Sequence, residues 1–183
     1  MMQETIGEQR VIEADRFVLR PIEMSDAGLL SLYVGDKRVA EGTRSIPHPL
    51  VPGVVEGYIA RASAPDRMED VWVMDGSQGE PAARGHEVLG VISLTHMDRN
   101  QSQLGYWVAP AFWNTGLASE AVRAMVEANP LGNAALFAEV FQDNPASARV
   151  LTNAGFAYIG DAEAHSIARA ANVPTWTYIR KMG

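Results

Sequence analysis

Two stretches constrain this chain more than any other: residues 105–121, GYWVAPAFWNTGLASEA, and, after one strand's worth of chain, residues 143–156, DNPASARVLTNAGF. Read in order they give a strand, a turn, a helix, a second strand and a second helix. The turn carries Asn114, Thr115 and Gly116, small residues where backbone N–H groups have to come close to a ligand. The helix that follows favours an anion at its start, because its first amides are unpaired and the macrodipole is positive there. A pyrophosphate is the natural guest, although Asn and Gly before a helix also serve as plain turn chemistry. The loop is not a P-loop, since no Gly-Lys-Ser/Thr follows, and it is not a GxGxxG turn.

The rest of the chain is consistent with one α/β domain. Residues 16–22, RFVLRPI, alternate apolar and charged side chains as a half-buried strand does, and Ser25 and Asp26 stand where a helix N-cap belongs. A short helix is expected to end near Gly35, the Pro-rich segment 43–53 is a loop, and 54–62 has mixed helical propensity. Strands are expected at 69–74, 88–97 and 104–108, forming an antiparallel meander, with a Gly-, Pro- and charge-rich loop over 75–87. Leu117, Ala121, Ala124, Met125 and Ala128 recur at helical spacing until Asn129-Pro130. A strand over 134–141, a helix over 145–154 ended by Gly155, and strands at 156–159 and 175–181 complete the order. The domain boundaries read from this are a polar leader over 1–15 and a single domain over 16–183.

Composition narrows the function classes. A formal charge of −7 with no Lys/Arg run argues against nucleic-acid binding. The absence of cysteine excludes disulfides, thiolate metal sites and an acetyl-cysteine intermediate, leaving a seryl one open. His48, His86, His96 and His165 lack zinc-ligand spacing, so no metal is expected. MMQETIGEQR has no apolar run before its charges and no window approaches a membrane span, so the expectation is a soluble, cytoplasmic protein, monomeric or homodimeric.

Residues 143–156 resemble the second motif helix of the GNAT N-acetyltransferase superfamily, with Asn144 opening the helix and Ser147 three residues on. Trp113, Gly116 and Ala118 look like that superfamily's pyrophosphate loop, with Trp113 standing where Gln or Arg is usual. The GYWV strand, the Trp and the ASEA after it, together with RFVLRP followed by SDA, are similar to the branch that includes the ribosomal-protein N-terminal acetyltransferases. The resemblance implies a mixed, mostly antiparallel α/β (α+β) sheet of about seven strands flanked by about four helices. It also implies acetyl-CoA as cosubstrate and a primary amine, on a peptide or a small molecule, as acceptor. The pantetheine arm would lie along the backbone of Tyr106, Trp107 and Val108 and against Asn144. The pyrophosphate would lie on the turn of Trp113, Asn114, Thr115, Gly116, Leu117, Ala118 and Ser119. The acceptor would meet the loops 43–53 and 161–174, where Arg44, His48 and His165 are candidate contacts.

For the chemistry, transfer directly from acetyl-CoA to the amine in a ternary complex is favoured. The leaving thiolate needs a hydrogen bond more than a strong acid, and Ser147 fits that role. Two residues are candidates for the general base, Glu139 and His96, each with an ordinary alternative as a solvated or satisfied strand side chain. No tyrosine stands within residues 145–154, where many members of the superfamily carry one as the acid. Glu120 reads as a helix-dipole or structural carboxylate. The competing function is a non-catalytic CoA-binding or regulatory domain that kept the cradle without the base.

Overall fold

The computed structural model describes residues 8–78 and 86–183; residues 1–7 of the expected leader and 79–85 of the expected loop lie outside the described residues. A single eight-stranded sheet organises the chain, with strands β1 (Ile12–Glu13), β2 (Val18–Pro21), β3 (Glu69–Asp75), β4 (Gly90–Met97), β5 (Gln101–Val108), β6 (Ala135–Phe141), β7 (Ala157–Ser166) and β8 (Ala171–Lys181). Their spatial order is β1-β2-β3-β4-β5-β6-β8-β7. Every pairing is antiparallel except β5 with β6. The expected meander is present as β3–β4–β5. The one parallel pair follows from the helix inserted between its strands, because a parallel partner requires a crossover.

Among the described residues, five α-helices cover the sheet: α1 (Ala27–Val34), α2 (Lys37–Glu41), α3 (Val54–Ala62), α4 (Leu117–Ala128) and α5 (Pro145–Asn153). Strand alternation divides the core in two. Trp72, Met74, Ile92, Leu94, Leu104, Leu136 and Ala138 pack with Leu117, Ala121, Met125 and Leu151 of α4 and α5. The intervening Val71, Val73 and Val91 pack with Leu30, Val34, Val39, Val55 and Ile59 of α1, α2 and α3. No helix among the described residues is long and apolar enough to cross a membrane.

Among the described residues, eight strands and five α-helices compare with about seven and about four expected. The leader ends inside the sheet: Ile12 is buried and pairs with Leu19, a two-residue strand too short to show alternation. The helix expected to be capped by Ser25 or Asp26 is preceded by a 3-10 turn, Met24–Asp26, whose capping box runs between Glu23 and Asp26. Asp26 is buried there and accepts from both terminal guanidinium nitrogens of Arg20, at 2.9 and 2.7 Å. Helix α2 has five residues and is set by the Asp36 side chain accepting from the Arg38 N–H, so it offers no periodicity to read. The largest correction is at the C-terminus. Residues expected as a loop over 161–174 form most of the long β7–β8 hairpin, whose β7 is exposed along nearly its whole length and therefore lacks an apolar alternation. Pro174 sits in β8 without an N–H to lose, while its carbonyl accepts from the Gln142 N–H at 3.0 Å.

Candidate active site

The site is created by the parallel pair. β5 and β6 are in register only from Gln101–Ala135 to Leu104–Ala138, whereas β5 stays paired with β4 through Val108–Gly90. Past Leu104 the β6-facing edge of β5 has no strand partner, so four residues, Gly105 to Val108, border a wedge between the strands. Backbone groups left without a ladder partner accept an extended polar chain as an added strand. Tyr106, Trp107 and Val108 lie on this edge, as expected. Tyr106 packs toward the α4 and α5 side and Trp107 toward the α1, α2 and α3 side.

Beyond β5 the chain turns into α4 through a tightly held loop. The Trp113 indole N–H donates to the Val108 carbonyl at 2.6 Å, and the Thr115 hydroxyl donates to the Phe112 carbonyl at 2.5 Å. Asn114 and Gly116 both have left-handed backbone, with φ of 61° and 80°. The first helical bond, from the Glu120 N–H to the Gly116 carbonyl at 3.1 Å, leaves the amides of Leu117, Ala118 and Ser119 without helical acceptors. Leu117 buries its side chain in the core, so only its backbone is available to a ligand. Two cations frame the loop. The Arg38 guanidinium lies 5.4 Å from the Trp113 ring centroid, and Arg16 donates to the Thr115 carbonyl at 2.8 Å while pairing with Glu120 at 3.0 Å.

The other wall is the start of α5. Ser147 projects to the wedge, where its hydroxyl stands 2.6 Å from the Tyr106 hydroxyl; the single phenol proton has two acceptors in reach, that hydroxyl and the Ser147 carbonyl at 3.1 Å. Burial pushes the Tyr106 phenol up to about 12, so it is neutral and available as a donor across the physiological range. This partner of Ser147 is absent from the sequence expectation, which gave Tyr106 a backbone role. The signal for it lies in the alternation of Leu104, Tyr106 and Val108, which sends the Tyr106 ring to the same face as α5. Asn144 is exposed, and its Oδ1 accepts the Ser147 N–H at 3.3 Å as the N-cap of α5. Its side-chain oxygen thus serves the helix.

The two candidate bases separate. Glu139 belongs to the β6 set that faces α1, α2 and α3, opposite Leu136, Ala138 and Val140. Its carboxylate accepts the Thr175 hydroxyl at 2.6 Å and stands 3.5 Å from the Arg44 guanidinium. The Arg44 carbonyl accepts from the Ile167 N–H at 3.0 Å, which ties the loop after α2 to the hairpin turn. His96 is elsewhere. It pairs with Ser102 at the opposite end of β4, four residues beyond Ile92, the residue facing Tyr106. At a rise of ~3.3 Å per residue that is roughly 13 Å along the strand. There the imidazole Nε2 is 2.8 Å from Asp70, a buried carboxylate also held by Arg67. The wedge thus has Ser147 and Tyr106 on one side and Glu139 on the other, with His96 outside it. Of the remaining histidines, His165 is exposed on the hairpin beside Asn172, and His48 has a buried Nδ1 without a hydrogen-bond partner. No group of three or more His, Asp or Glu side chains suited to a metal ion occurs among the described residues.

The family model of the acetyltransferase (GNAT) domain matches residues 16–157. The Bacillus subtilis (strain 168) protein named uncharacterized N-acetyltransferase YoaA is 26% identical over 153 residues, covering 80% of this chain and 82% of that protein. Among solved structures, the ribosomal-protein-S5-alanine acetyltransferase from Vibrio fischeri superposes with a TM-score of 0.73 at 19% identity, covering 94% of this chain and 97% of the other. Spermidine N-acetyltransferase from Vibrio cholerae, solved with CoA and spermine, gives 0.74 at 13% identity over 91% and 96%.

Proposed function

This chain belongs to the GNAT acetyltransferase family, and from that membership we propose that it transfers acetyl from acetyl-CoA directly to a primary amine, on a protein N-terminus or a small molecule, in a ternary complex. The observation that carries the reading is the hydroxyl pair of Ser147 and Tyr106 at the mouth of the wedge, 2.6 Å apart. The pantetheine arm extends along the free edge of β5, which brings the thioester between this pair and the face of Glu139. The pyrophosphate sits on the turn from Asn114 to Ser119, where left-handed backbone and unpaired amides fit an anion.

The acceptor enters as an ammonium and loses one proton before attack and a second as the amide forms. Glu139 takes the first, directly or through one water. The amine nitrogen then bonds to the thioester carbon, the C–S bond breaks, and the coenzyme sulfur leaves with its electron pair. Ser147 donates a hydrogen bond to that sulfur while Tyr106 donates to Ser147. Of the two protons, one ends on sulfur as the free thiol and the other in solvent. Because Arg44 stands at the same carboxylate, the incoming ammonium has to displace the guanidinium or share Glu139 with it. The Vibrio cholerae spermidine N-acetyltransferase, solved with CoA and spermine, supports an amine as the class of acceptor.

The test is thiol release across a panel of N-terminal peptides, polyamines and small amines. Release with at least one amine, lost at least tenfold in Glu139→Gln, is the expected outcome. Thermal stabilisation by acetyl-CoA with no thiol release from any amine overturns it in favour of a CoA-binding domain without catalysis.

A further inference from the structure

We propose that Arg16, at the turn between β1 and β2, is a positioning residue for the coenzyme's pyrophosphate, acting through the Thr115–Gly116 peptide; the proposal rests on the reading of that turn as the pyrophosphate cradle. Nothing in the motif of the turn calls for a residue ninety-nine positions away. Yet Arg16 makes three bonds there. Its side-chain Nη1 donates to the Thr115 carbonyl at 2.8 Å, its Nε donates to Glu120 Oε2 at 3.0 Å, and its backbone N–H donates to Glu120 Oε1 at 3.2 Å.

The carbonyl it holds decides the direction of an amide. In a trans peptide the C=O of one residue and the N–H of the next lie in one plane and point opposite ways. Fixing the Thr115 carbonyl on Arg16 therefore turns the Gly116 N–H away from the β1–β2 turn, into the exposed side of the loop. Gly116 makes the arrangement possible. Its left-handed φ of 80° suits glycine, and a Cβ there would already touch Arg16 Nη2 at 3.5 Å. Glu120 supplies the second anchor: it is buried in the first turn of α4 and neutralises the guanidinium. Arg16 consequently acts by geometry, with its charge already balanced, and its guanidinium holds Glu120 and the Thr115 carbonyl at once through a rigid two-nitrogen fork that a lysine ammonium lacks.

Charge and geometry make opposite predictions for the partner. If Arg16 served the phosphate as a free cation, removing the Glu120 charge would tighten coenzyme binding. If it positions the peptide, losing the clamp weakens binding. The experiment compares CoA with pantetheine, which has the thiol arm and no phosphate, by calorimetric titration of wild type, Arg16→Lys, Arg16→Ala and Glu120→Gln, with thermal unfolding of each. The expected result is a roughly tenfold or greater rise in Kd for CoA in all three variants, with pantetheine affinity unchanged. Equal loss for CoA and pantetheine in Arg16→Lys, or tighter CoA binding in Glu120→Gln, overturns the role assigned to Arg16. If Arg16→Ala does not fold, Arg16→Lys and Glu120→Gln decide the matter. A wild type that binds pantetheine as tightly as CoA overturns the cradle itself, an outcome distinct from a failure of Arg16 alone.

Discussion

The Tyr106 phenol on β5 and the Ser147 hydroxyl on α5 meet at 2.6 Å across the gap where β5 parts from β6. The two residues come from different elements and both lie on the α4 and α5 side of the wedge. Ser147→Ala is expected to lower kcat roughly tenfold to hundredfold, the low end of what a positioned proton donor supplies, because a thiolate is already a fair leaving group. The acetyl-CoA KM should change by less than about threefold, since the same substitution leaves the β5 edge and the α4 turn intact. Tyr106→Phe should cost less in kcat, and the double variant no more than Ser147→Ala, because Tyr106 acts only through Ser147. A double-mutant cycle on steady-state kcat reads this coupling, and additive losses would refute it.

The buried phenol also predicts an alkaline limb of stability. Tyr106 is raised from 10.0 to about 12 by burial, partly offset by its bond to Ser147. The folded state therefore holds the proton more tightly than the unfolded state does. Its contribution is complete below pH 10 and is lost as pH rises from 10 through 12, by about 3 kcal/mol at the far end. Tyr58 is raised as well, through desolvation and Glu69, so wild type alone does not isolate the effect. Tyr106→Phe does. Denaturant midpoints of wild type and this variant should converge on going from about pH 9 to pH 12, because only wild type has this proton to lose.

The turn before α4 and the start of α5 were legible because they depend on local grammar. Asn114 and Gly116 in left-handed backbone, followed by an uncapped helix start, and Asn144-Pro145 opening the second helix are features that a few adjacent residues specify. What escaped the sequence is what tertiary structure brings from afar. Arg16 reaches Thr115, and Arg169 reaches Glu41 and Asp143, across separations that carry no periodic signal. The two base candidates looked alike because a polar residue near a strand end reads the same whichever end it occupies. Register separates them, sending His96 to the end of β4 opposite Gly90 and giving it Asp70 as partner. The hairpin of β7 and β8 was read short for the converse reason, since an edge strand exposed on both faces needs no apolar alternation.

Gly90 offers a direct test of the wedge's geometry. It lies opposite Val108 at the last pair between β4 and β5, and a Cβ there would collide with the Trp107 carbonyl oxygen and come within 2.9 Å of Val108 Cα. Those atoms are backbone and have no rotamer escape. Gly90→Ala should therefore push the end of β5 into the wedge, costing about 3 kcal/mol in unfolding free energy. On the proposed placement of the pantetheine arm along that edge, CoA and pantetheine should both bind more weakly. This pattern contrasts with Arg16 variants, in which only CoA binding weakens.

Arg169 tests the acceptor side. From the turn of the β7–β8 hairpin it donates to the Glu41 carbonyl at 2.9 Å, pairs with Asp143 at 2.5 Å, and lies 4.9 Å from the Phe141 ring centroid. One side chain thus joins the end of α2, the loop before α5 and the hairpin, beside the Arg44 backbone that Ile167 holds. The Asp143 end of the pair is well exposed, so Arg169→Ala should cost only about 1 kcal/mol of global stability. Loosening the three segments should instead raise the KM of the amine roughly fivefold, with the acetyl-CoA KM unchanged. The hydrogen bond from Arg169 holds the Asp143 carboxyl below its usual 3.8. Its share of stability is present above that ordinary value and is lost only as pH falls through the lowered one, so the pair is intact at neutrality. The KM difference between wild type and Arg169→Ala should accordingly be the same from about pH 6 to pH 8; a difference that vanishes within that range would mean another group, titrating near neutrality, sets the acceptor affinity.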